Sequence, residues 1–427
     1  MSELMKTVPF WTDQVPHPAD LPVATALPEQ VDVAIVGSGY TGLNAARVLA
    51  KNSSRVAVLE RNTIGWGASS RNGGMATPGI KQSVAGMLKA YGPEKARLFW
   101  QASLDAIDLI DQIVEEEAID CDWARNGHFG LAYKPAHFKA MQERAAWMKR
   151  EFDYDYTIVA PSEVRSEIGT DQFYGGLADG YSGGLQPAKY VFGLARAVAG
   201  YGVDLCEQTE VTRIVPEGQG FTVHTNQGVL KAKEVLVATN GYTDRLVPQL
   251  KPKIFPVGSY IIVTEPLAPD LQKELSPKGR MFYDSKNFLN YFRLTPDGRM
   301  LWGGRNDLST DLDLQDSAER LRAQMVNVFP QLRDEAITHS WTGQLGLTFD
   351  LMPHIGRVKG IHYAFGYCGH GLSIATYLGT EMGKLLAGEK SSSPFAEISH
   401  QTMFFYRNKP WFLPFAAMFY RFLDRVS

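Results

Sequence analysis

The sequence predicts an α/β protein in which a Rossmann-like nucleotide-binding domain, assembled from discontinuous segments, is joined to a second domain with an antiparallel sheet. Three observations lead to this fold class. An apolar run ends in the glycine motif GSGYTG at residues 37–42, and a helical pattern follows it. A second continuous apolar run, Val235–Ala238, suits a buried parallel strand that returns to the same sheet. Between residues 251 and 344 apolar and polar residues alternate, which is typical of antiparallel strands.

The first strand, turn and helix occupy residues 31–60. Gly37 permits the tight turn, Gly39 allows the backbone to approach a pyrophosphate, and Gly42 lets helix and strand pack closely. The pyrophosphate would meet the amides and the positive dipole end of the helix. Glu60 ends the second strand, where an acid can bind ribose hydroxyls. This unit predicts a dinucleotide site without choosing the dinucleotide.

The remaining elements divide the chain into segments that interrupt one another. Pro187 opens a helical pattern that ends near Gly200 or Gly202, and the turn Thr295–Gly298 (TPDG) indicates a hairpin. We expect an N-terminal arm at 1–30, a nucleotide-binding domain from 31–90, 150–250 and 345–392, a substrate domain from 91–149 and 251–344, and an aromatic tail at 393–427. Such an interrupted nucleotide domain favours a flavoprotein over a simple NAD dehydrogenase.

Length and composition exclude several classes of protein. A chain of 427 residues is long for one core, so two domains are expected. The net charge of −3 gives no electrostatic reason to bind nucleic acid. The three cysteines form no CxxC pair, so we predict neither a disulfide framework nor a metal site. We expect a cytoplasmic protein, because no signal peptide and no run of ~18 apolar residues is found.

A second glycine-rich stretch, GWGASSRNGG at residues 65–74, lies just after Glu60. Glycine and serine allow close backbone approach and supply donors, which a flavin needs along its ribityl chain and ring edge. The alternative is a flexible surface loop.

With these motifs in place, the chain resembles the glycine-oxidase and D-amino-acid-oxidase (DAO) type of FAD enzymes. The motifs in register are GSGYTG with Glu60, GASSRNGG, LQPAKYVFGLARAVAGYGV, VATNG and GYCGHG. Within that superfamily, RNGG, VTEPL, MLWGGR and the ending FYRFLDR resemble the gamma-glutamylputrescine oxidoreductase branch. The resemblance implies an FAD-binding domain of the glutathione-reductase type.

The resemblance also implies which residues contact FAD. Those expected at the pyrophosphate and adenosine are Gly37, Ser38, Gly39, Tyr40, Thr41, Gly42, Glu60, Arg61, Val211, Thr239 and Gly241. Those expected from the diphosphate toward the flavin ring are Ala68, Ser69, Asn72, Gly73, Gly74 and Met75. Those expected at the pyrimidine end, where donors stabilise negative charge on the reduced flavin, are Gly369, His370, Gly371, Leu372 and Ser373.

The sequence departs from sarcosine-oxidase-like relatives in three ways. The stretch Trp341–Gly356 lacks the cysteine that those relatives attach to FAD, so we predict non-covalent FAD. Ser373 replaces a lysine that helps to bind the substrate carboxylate. Met300–Arg305 lacks the lysine that promotes reaction with oxygen, so the acceptor is either oxygen or another molecule.

Candidate substrate and catalytic residues come from the same comparison. His370 and Arg305 are the catalytic candidates, and the alternative for His370 is a structural role at the start of a helix. The expected pocket residues are Arg71, Tyr260, Tyr291, Trp302 and Ser373. Structural arginines and core aromatics are the alternatives for this set.

The resemblance implies FAD-dependent oxidation of the C–N bond of a primary or secondary amine on a γ-glutamyl- or amino-acid-like molecule. A hydride would pass from carbon to flavin N5, and the imine would hydrolyse to a carbonyl compound. Hydrogen peroxide would form if oxygen is the acceptor. Alternatives are oxidation of a cyclic imino acid or N-methyl amino acid, an NAD-dependent dehydrogenase, and a flavin-binding protein without turnover.

The aromatic tail has two interpretations. It packs across the protein as a capping segment, which the sequence analysis favours, or it makes peripheral contact with a membrane interface, where aromatic and basic side chains are favoured.

Overall fold

The computed structural model describes residues 5–304, 308–406 and 410–426. Their strands are β1 (Gln30–Val36), β2 (Val56–Leu59), β3 (Met75–Ala76), β4 (His128–Leu131), β5 (Thr157–Val159), β6 (Gly176–Asp179), β7 (Gly183–Gly184), β8 (Asp204–Cys206), β9 (Val211–Glu217), β10 (Gly220–Thr225), β11 (Gly228–Val237), β12 (Phe255–Pro266), β13 (Met281–Asp284), β14 (Asn290–Leu294), β15 (Arg299–Gly304), β16 (Ile337–Leu347), β17 (His354–Val358) and β18 (Ile361–Phe365). Their helices are α1 (Phe10–Gln14), α2 (Tyr40–Lys51), α3 (Val84–Glu116), α4 (Pro135–Phe152), α5 (Pro187–Gly200), α6 (Pro269–Leu275), α7 (Leu314–Val328), α8 (Gly371–Leu386) and α9 (Leu413–Val426).

The nucleotide sheet has the order β17-β18-β11-β1-β2-β8, with β10 and β9 added to one side of β11. Strand β1 lies between β2 and β11 and pairs with both in parallel. The prediction that Val235–Ala238 returns to the glycine-motif sheet is confirmed, because Val235–Val237 of β11 pair with Ala34–Val36. Burial on both faces explains why these strands are continuously apolar.

The second sheet has the order β16-β12-β15-β14-β13-β4-β6-β5. Its pairs are antiparallel except for β13 with β4, so the predicted antiparallel character holds with one parallel pair. The predicted TPDG hairpin joins β14 to β15, with Leu294 opposite Met300.

Helix α8 crosses α2 at close range because small residues line the contact. A Cβ at Gly379 would lie 2.4 Å from the carbonyl oxygen of Thr41, and a Cβ at Gly383 would lie 2.7 Å from Cβ of Val48. This packing brings the N-termini of both helices to one cavity.

Two segments differ from the predicted domain boundaries. Strands β5 and β6 lie within 150–250, yet they extend the second sheet beyond β4. Helix α3 bends at Gly92, whose φ is 79°. Beyond that bend it packs on α8 of the nucleotide domain, and Phe99 contacts Phe395 of the predicted tail at 5.1 Å between ring centroids. The sequence of a short strand does not specify which sheet it joins. The sequence of a long amphipathic helix does not specify which domain it packs against.

The N-terminal arm contains a short helix that anchors it to the rest of the protein. Helix α1 buries Phe10 and Trp11, and the Trp11 indole donates to the carbonyl of Asn72 at 2.8 Å. The arm therefore supports the glycine-rich stretch. No helix of the described residues is long and apolar enough to cross a bilayer.

Candidate cofactor and substrate site

A cavity of about 900 Å³ runs from the glycine turn after β1, past the N-terminus of α8, to one face of the second sheet. Its volume falls within the range of small-molecule and cofactor sites, roughly 300–1,000 Å³. Two segments distant in sequence, residues 37–41 and 367–372, line it together. The cavity therefore collects most of the residues that the sequence analysis assigned to one site.

The glycine turn shapes the narrow end of this cavity. Gly37 adopts φ 105°, a left-handed conformation that side chains rarely take. Gly39 caps α2 without a side chain, so the first-turn amides of the helix open toward the cavity. Gly42 does not line the cavity, because it packs behind the turn, where a Cβ would lie 2.0 Å from the Gly37 carbonyl oxygen.

Glu60 is tied to the turn by its carboxylate. One oxygen accepts from the Ser38 hydroxyl at 2.7 Å and the Ser38 amide at 3.1 Å, while the other accepts from the Asn62 amide at 3.0 Å. Arg61, Val211 and Thr239 line the same end of the cavity. Gly241 does not, since it packs against the backbone of residues 344–346.

The glycine-rich stretch is an ordered turn rather than a flexible loop. The Ser69 hydroxyl accepts from the Tyr40 amide at 3.0 Å, and the Tyr40 hydroxyl donates to the Ser69 carbonyl at 2.5 Å. The Asn72 side-chain amide donates to the carbonyls of Ala68 and Ser69 and accepts from the Gly74 amide. Ala68, Ser69, Asn72, Gly73 and Met75 line the cavity, whereas Gly74 lies behind them, packed on the Leu185 carbonyl.

The N-terminus of α8 forms a second cradle. His370 is its N-cap residue, and no side-chain hydrogen bond caps the helix there. Gly369, His370, Gly371 and Leu372 line the cavity, but Ser373 is buried among the helices and does not reach it. The Cys368 thiol is buried and donates to the Gly366 carbonyl at 3.2 Å.

These features fit an FAD molecule. Two helix N-termini open into one cavity, and each can hold negative charge: the pyrophosphate at α2 and the pyrimidine end of the flavin at α8. Side chains at Gly37 and Gly39 would fill the narrow end, with Cβ atoms 3.0 Å from the Ala238 carbonyl oxygen and 2.9 Å from the Ser69 hydroxyl.

The second sheet supplies the facing wall. Ser259, Ile261 and Tyr291 line the cavity, and the Ser259 and Tyr291 hydroxyls are 3.0 Å apart. Tyr260 and Trp302 do not, which corrects the prediction that they wall the pocket. Side chains alternate across a strand, and both residues lie on the opposite face, where Trp302 stacks on Phe292 at 4.2 Å.

Of the two arginine candidates, only Arg71 lies within the described residues. Arg71 lines the cavity and lies against the Trp66 ring at 4.4 Å, with Nε donating to the Trp66 carbonyl at 2.8 Å. Burial lowers the pKa of its guanidinium. Arg305 lies outside the described residues.

The far lobe of the cavity holds a group that the sequence analysis missed: His128, Arg144, Tyr156 and Tyr283, here called the distal cluster. The Arg144 guanidinium donates to the Tyr156 hydroxyl at 3.3 Å. Tyr283 stacks at a tilt on His128, with ring centroids 5.1 Å apart. Within the described part of the chain, no carboxylate pairs with Arg144.

In the distal cluster His128 is buried, Tyr156 and Tyr283 are half-buried, and Arg144 is exposed. Desolvation lowers the pKa of His128 to about 4, an effect that Asp179 opposes and Arg144 adds to. Burial also raises the pKa of both tyrosines, so their hydroxyls are protonated donors at neutral pH. The cluster therefore offers one permanent positive charge with neutral donors around it.

One sequence signal could have found the distal cluster. Ala140, Glu143, Arg144 and Trp147 recur at helical spacing on α4 and all line the cavity. We assigned this helix only to the predicted substrate domain, 91–149, and named none of its residues as site residues.

Comparisons with known proteins show which family the chain resembles. The family model described as FAD dependent oxidoreductase (DAO) matches residues 32–385. The chain is 33% identical over 403 residues to gamma-glutamylputrescine oxidoreductase of Escherichia coli, covering 93% of each chain. It is 34% identical over 367 residues to the probable oxidoreductase OrdL of Haemophilus influenzae, covering 84% of each. The solved glycine oxidase of Geobacillus kaustophilus superposes with a TM-score of 0.75 at 21% identity, covering 88% of this chain and 100% of that one.

Proposed function

We propose that this chain, which belongs to the DAO family of FAD-dependent oxidoreductases, oxidises the C–N bond of a γ-glutamyl amine. The observation that carries the proposal is the two-ended cavity. One end has the glycine turns that suit FAD, and the other holds Arg144 without a carboxylate partner in the described part of the chain. A substrate would lie between them, with its amine toward the flavin and its acid toward Arg144.

The charges of the far lobe match a γ-glutamyl group. Such a group ends in an amino acid, with one carboxylate and one ammonium close together. Arg144 and Glu143 both line the cavity and present one charge of each sign. Arginine binds carboxylates through paired donors, and the hydroxyls of Tyr156 and Tyr283 add further donors. The name of the Escherichia coli relative, a gamma-glutamylputrescine oxidoreductase, supports this substrate class.

Bound FAD would supply a two-electron acceptor for the C–N bond. Residues of the chain then orient the substrate and exclude water. Tyr291 and Ile261 form a wall beside the expected ring position, and Trp100 and Trp147 line the far lobe. A largely apolar wall disfavours a protonated amine, and the neutral nitrogen is the form that releases electron density.

We assign no general base among the described residues of the site. His370 is the N-cap residue of α8 and lines the cavity. We assign it to holding the flavin end of the site. The electron acceptor, oxygen or another molecule, and a cytoplasmic location stay predictions from the sequence.

An absorption spectrum followed by anaerobic titration tests this function. The purified protein is expected to show flavin bands near ~370 and ~450 nm. A γ-glutamyl amine should bleach the ~450 nm band faster than polyamines, cyclic imino acids or N-methyl amino acids. Faster bleaching by an imino acid would replace the proposed substrate class, and bands that no amine bleaches would indicate a flavin-binding protein without turnover.

A further inference from the structure

The C-terminal helix α9 turns an apolar face to solvent. Phe415, Met418, Phe419 and Phe422 are 63%, 63%, 58% and 59% exposed, and their spacing places them on one side of the helix. We call these four residues the outer face of α9. Surface helices normally present polar residues to solvent, so this arrangement is the reverse of the usual one.

The orientation of α9 is fixed by its opposite side. Leu413 and Ala417 are buried against the protein, at 7% and 3% exposed. The Asp424 carboxylate accepts from the backbone amides of Asn287 and Phe288 at 2.7 and 3.0 Å. Lys134 donates to the Asp424 carbonyl at 3.0 Å. One side of α9 therefore packs on the protein, as the capping interpretation predicts, and the outer face is exposed. The membrane interpretation stays a prediction.

The exposed surface continues beyond the helix. Phe404 is 93% exposed and Trp411 is 58% exposed. Ring contacts link Phe404 to Phe405, Phe405 to Trp411 and Trp411 to Phe415, with centroids 5.4 to 6.3 Å apart. A contiguous apolar patch of this kind marks an interaction surface rather than a scatter of single exposed side chains.

The charge of the same segment selects the partner. Residues 403–427 contain four basic residues, Arg407, Lys409, Arg421 and Arg425, and one acid, Asp424. The chain as a whole has a net charge of −3, so positive charge is concentrated in this tail. The one acid, Asp424, is engaged with the backbone amides of Asn287 and Phe288. The sequence of this segment is therefore basic on balance.

We propose that the outer face of α9 docks on an anionic lipid surface. Phenylalanine, tryptophan and methionine enter the boundary of the acyl chains, and basic residues beside them attract anionic headgroups. A second copy of the chain is a poorer partner, because pairing two tails would bring two basic segments together. Fourteen helical residues are too few to cross a bilayer, so the contact is peripheral.

Vesicle flotation of the FAD-loaded, full-length protein tests the proposal. Vesicles of phosphatidylcholine are compared with vesicles that also contain phosphatidylglycerol. The test variant combines Phe415→Ser, Phe419→Ser and Phe422→Ser. A matched control combines Leu98→Ser, Tyr174→Ser and Val229→Ser, which removes three exposed apolar side chains elsewhere. Flavin absorbance confirms that each variant is folded.

We expect the wild type and the control to float with the anionic vesicles and to be released by added salt. The test variant should partition at least about tenfold less, because it loses three phenylalanine side chains that would enter the lipid. A wild type that stays at the bottom of the gradient, or a test variant that floats equally well, would overturn the proposal. So would a wild-type dimer that the test variant converts to monomers, since a second copy would then cover the face.

Discussion

His128 shows how a single buried residue sets a pH dependence. It is 5% exposed, and burial lowers its native pKa to about 4, whereas an unfolded histidine has its ordinary pKa of 6.5. Unfolding therefore takes up a proton between these values, so native stability falls as the pH decreases through that window.

We predict that proton uptake by His128 on unfolding, taken alone, lowers the free energy of unfolding by about 3 kcal/mol between pH 6.5 and pH 4. His400 adds to the same trend, because burial lowers its pKa to about 3. Urea denaturation at a series of pH values measures this dependence. The His128→Asn variant can keep the contact with Ser182 and should show a shallower slope; equal slopes for both proteins would contradict the assignment.

Gly42 packs behind the glycine turn and does not line the cavity. A substitution there therefore tests the geometry of the turn without adding a side chain to the FAD site. A Cβ there would lie 2.0 Å from the Gly37 carbonyl oxygen, so Gly42→Ala must push the turn and α2 apart. We expect FAD affinity to fall at least about tenfold, which corresponds to roughly 1.4 kcal/mol. Equilibrium dialysis against free FAD measures the change. Gly200→Ala is the matched control, because nothing lies within 4 Å of its Cβ position; equal losses in both variants would remove the cradle argument.

At the scale of elements, helix α4 presents one face to the cavity and another to solvent. Arg144 lies on the first face and Arg150 on the second, where it pairs with Glu151. Replacing one or the other arginine by methionine removes the same charge from the same helix. Only the substitution of Arg144 should affect substrate binding.

We predict that Arg144→Met raises KM for a γ-glutamyl amine by about ten- to a hundredfold, the worth of one or two hydrogen bonds to a charged group. Arg144→Lys should recover part of this loss, because it keeps the charge but not the paired donors. Arg150→Met should leave KM unchanged. Steady-state kinetics measure all three, and a similar KM for Arg144→Met and the wild type would exclude Arg144 as the anchor.

Elements also show where sequence reasoning succeeded and failed. The unit from β1 through α2 to β2 was predictable because glycines, an acid and continuous apolar strands all specify one local geometry. Tyr260 and Trp302 were assigned to the wrong side of their sheet, because both faces of β12 and β15 are apolar and alternation then gives no direction. The distal cluster was missed for a different reason, since it forms only when α4 meets β4 and β13.

At the scale of the whole molecule, the cysteines determine whether FAD could be linked covalently through sulfur. The stretch Trp341–Gly356 contains no cysteine, and the three cysteines of the chain are buried. Burial also raises the pKa of the Cys121 thiol to about 12 and of the Cys206 thiol to about 11, which disfavours the reactive thiolate.

We therefore predict that trichloroacetic acid releases all of the flavin into the supernatant. Absorbance near ~450 nm in the supernatant and in the washed pellet measures the two fractions. Flavin that stays with the pellet after washing would show a covalent link and would contradict the prediction.

The central claim is that one cavity binds FAD at its glycine end and a substrate carboxylate at Arg144. The most direct measurement is the anaerobic rate of flavin bleaching with two substrates, a γ-glutamyl amine and the same molecule without its carboxylate. For the wild type we predict at least about a tenfold higher second-order rate constant with the carboxylate. This ratio should approach one in Arg144→Met. An unchanged ratio in the variant, or equal rates for the two substrates in the wild type, would exclude Arg144 as the residue that binds the substrate carboxylate.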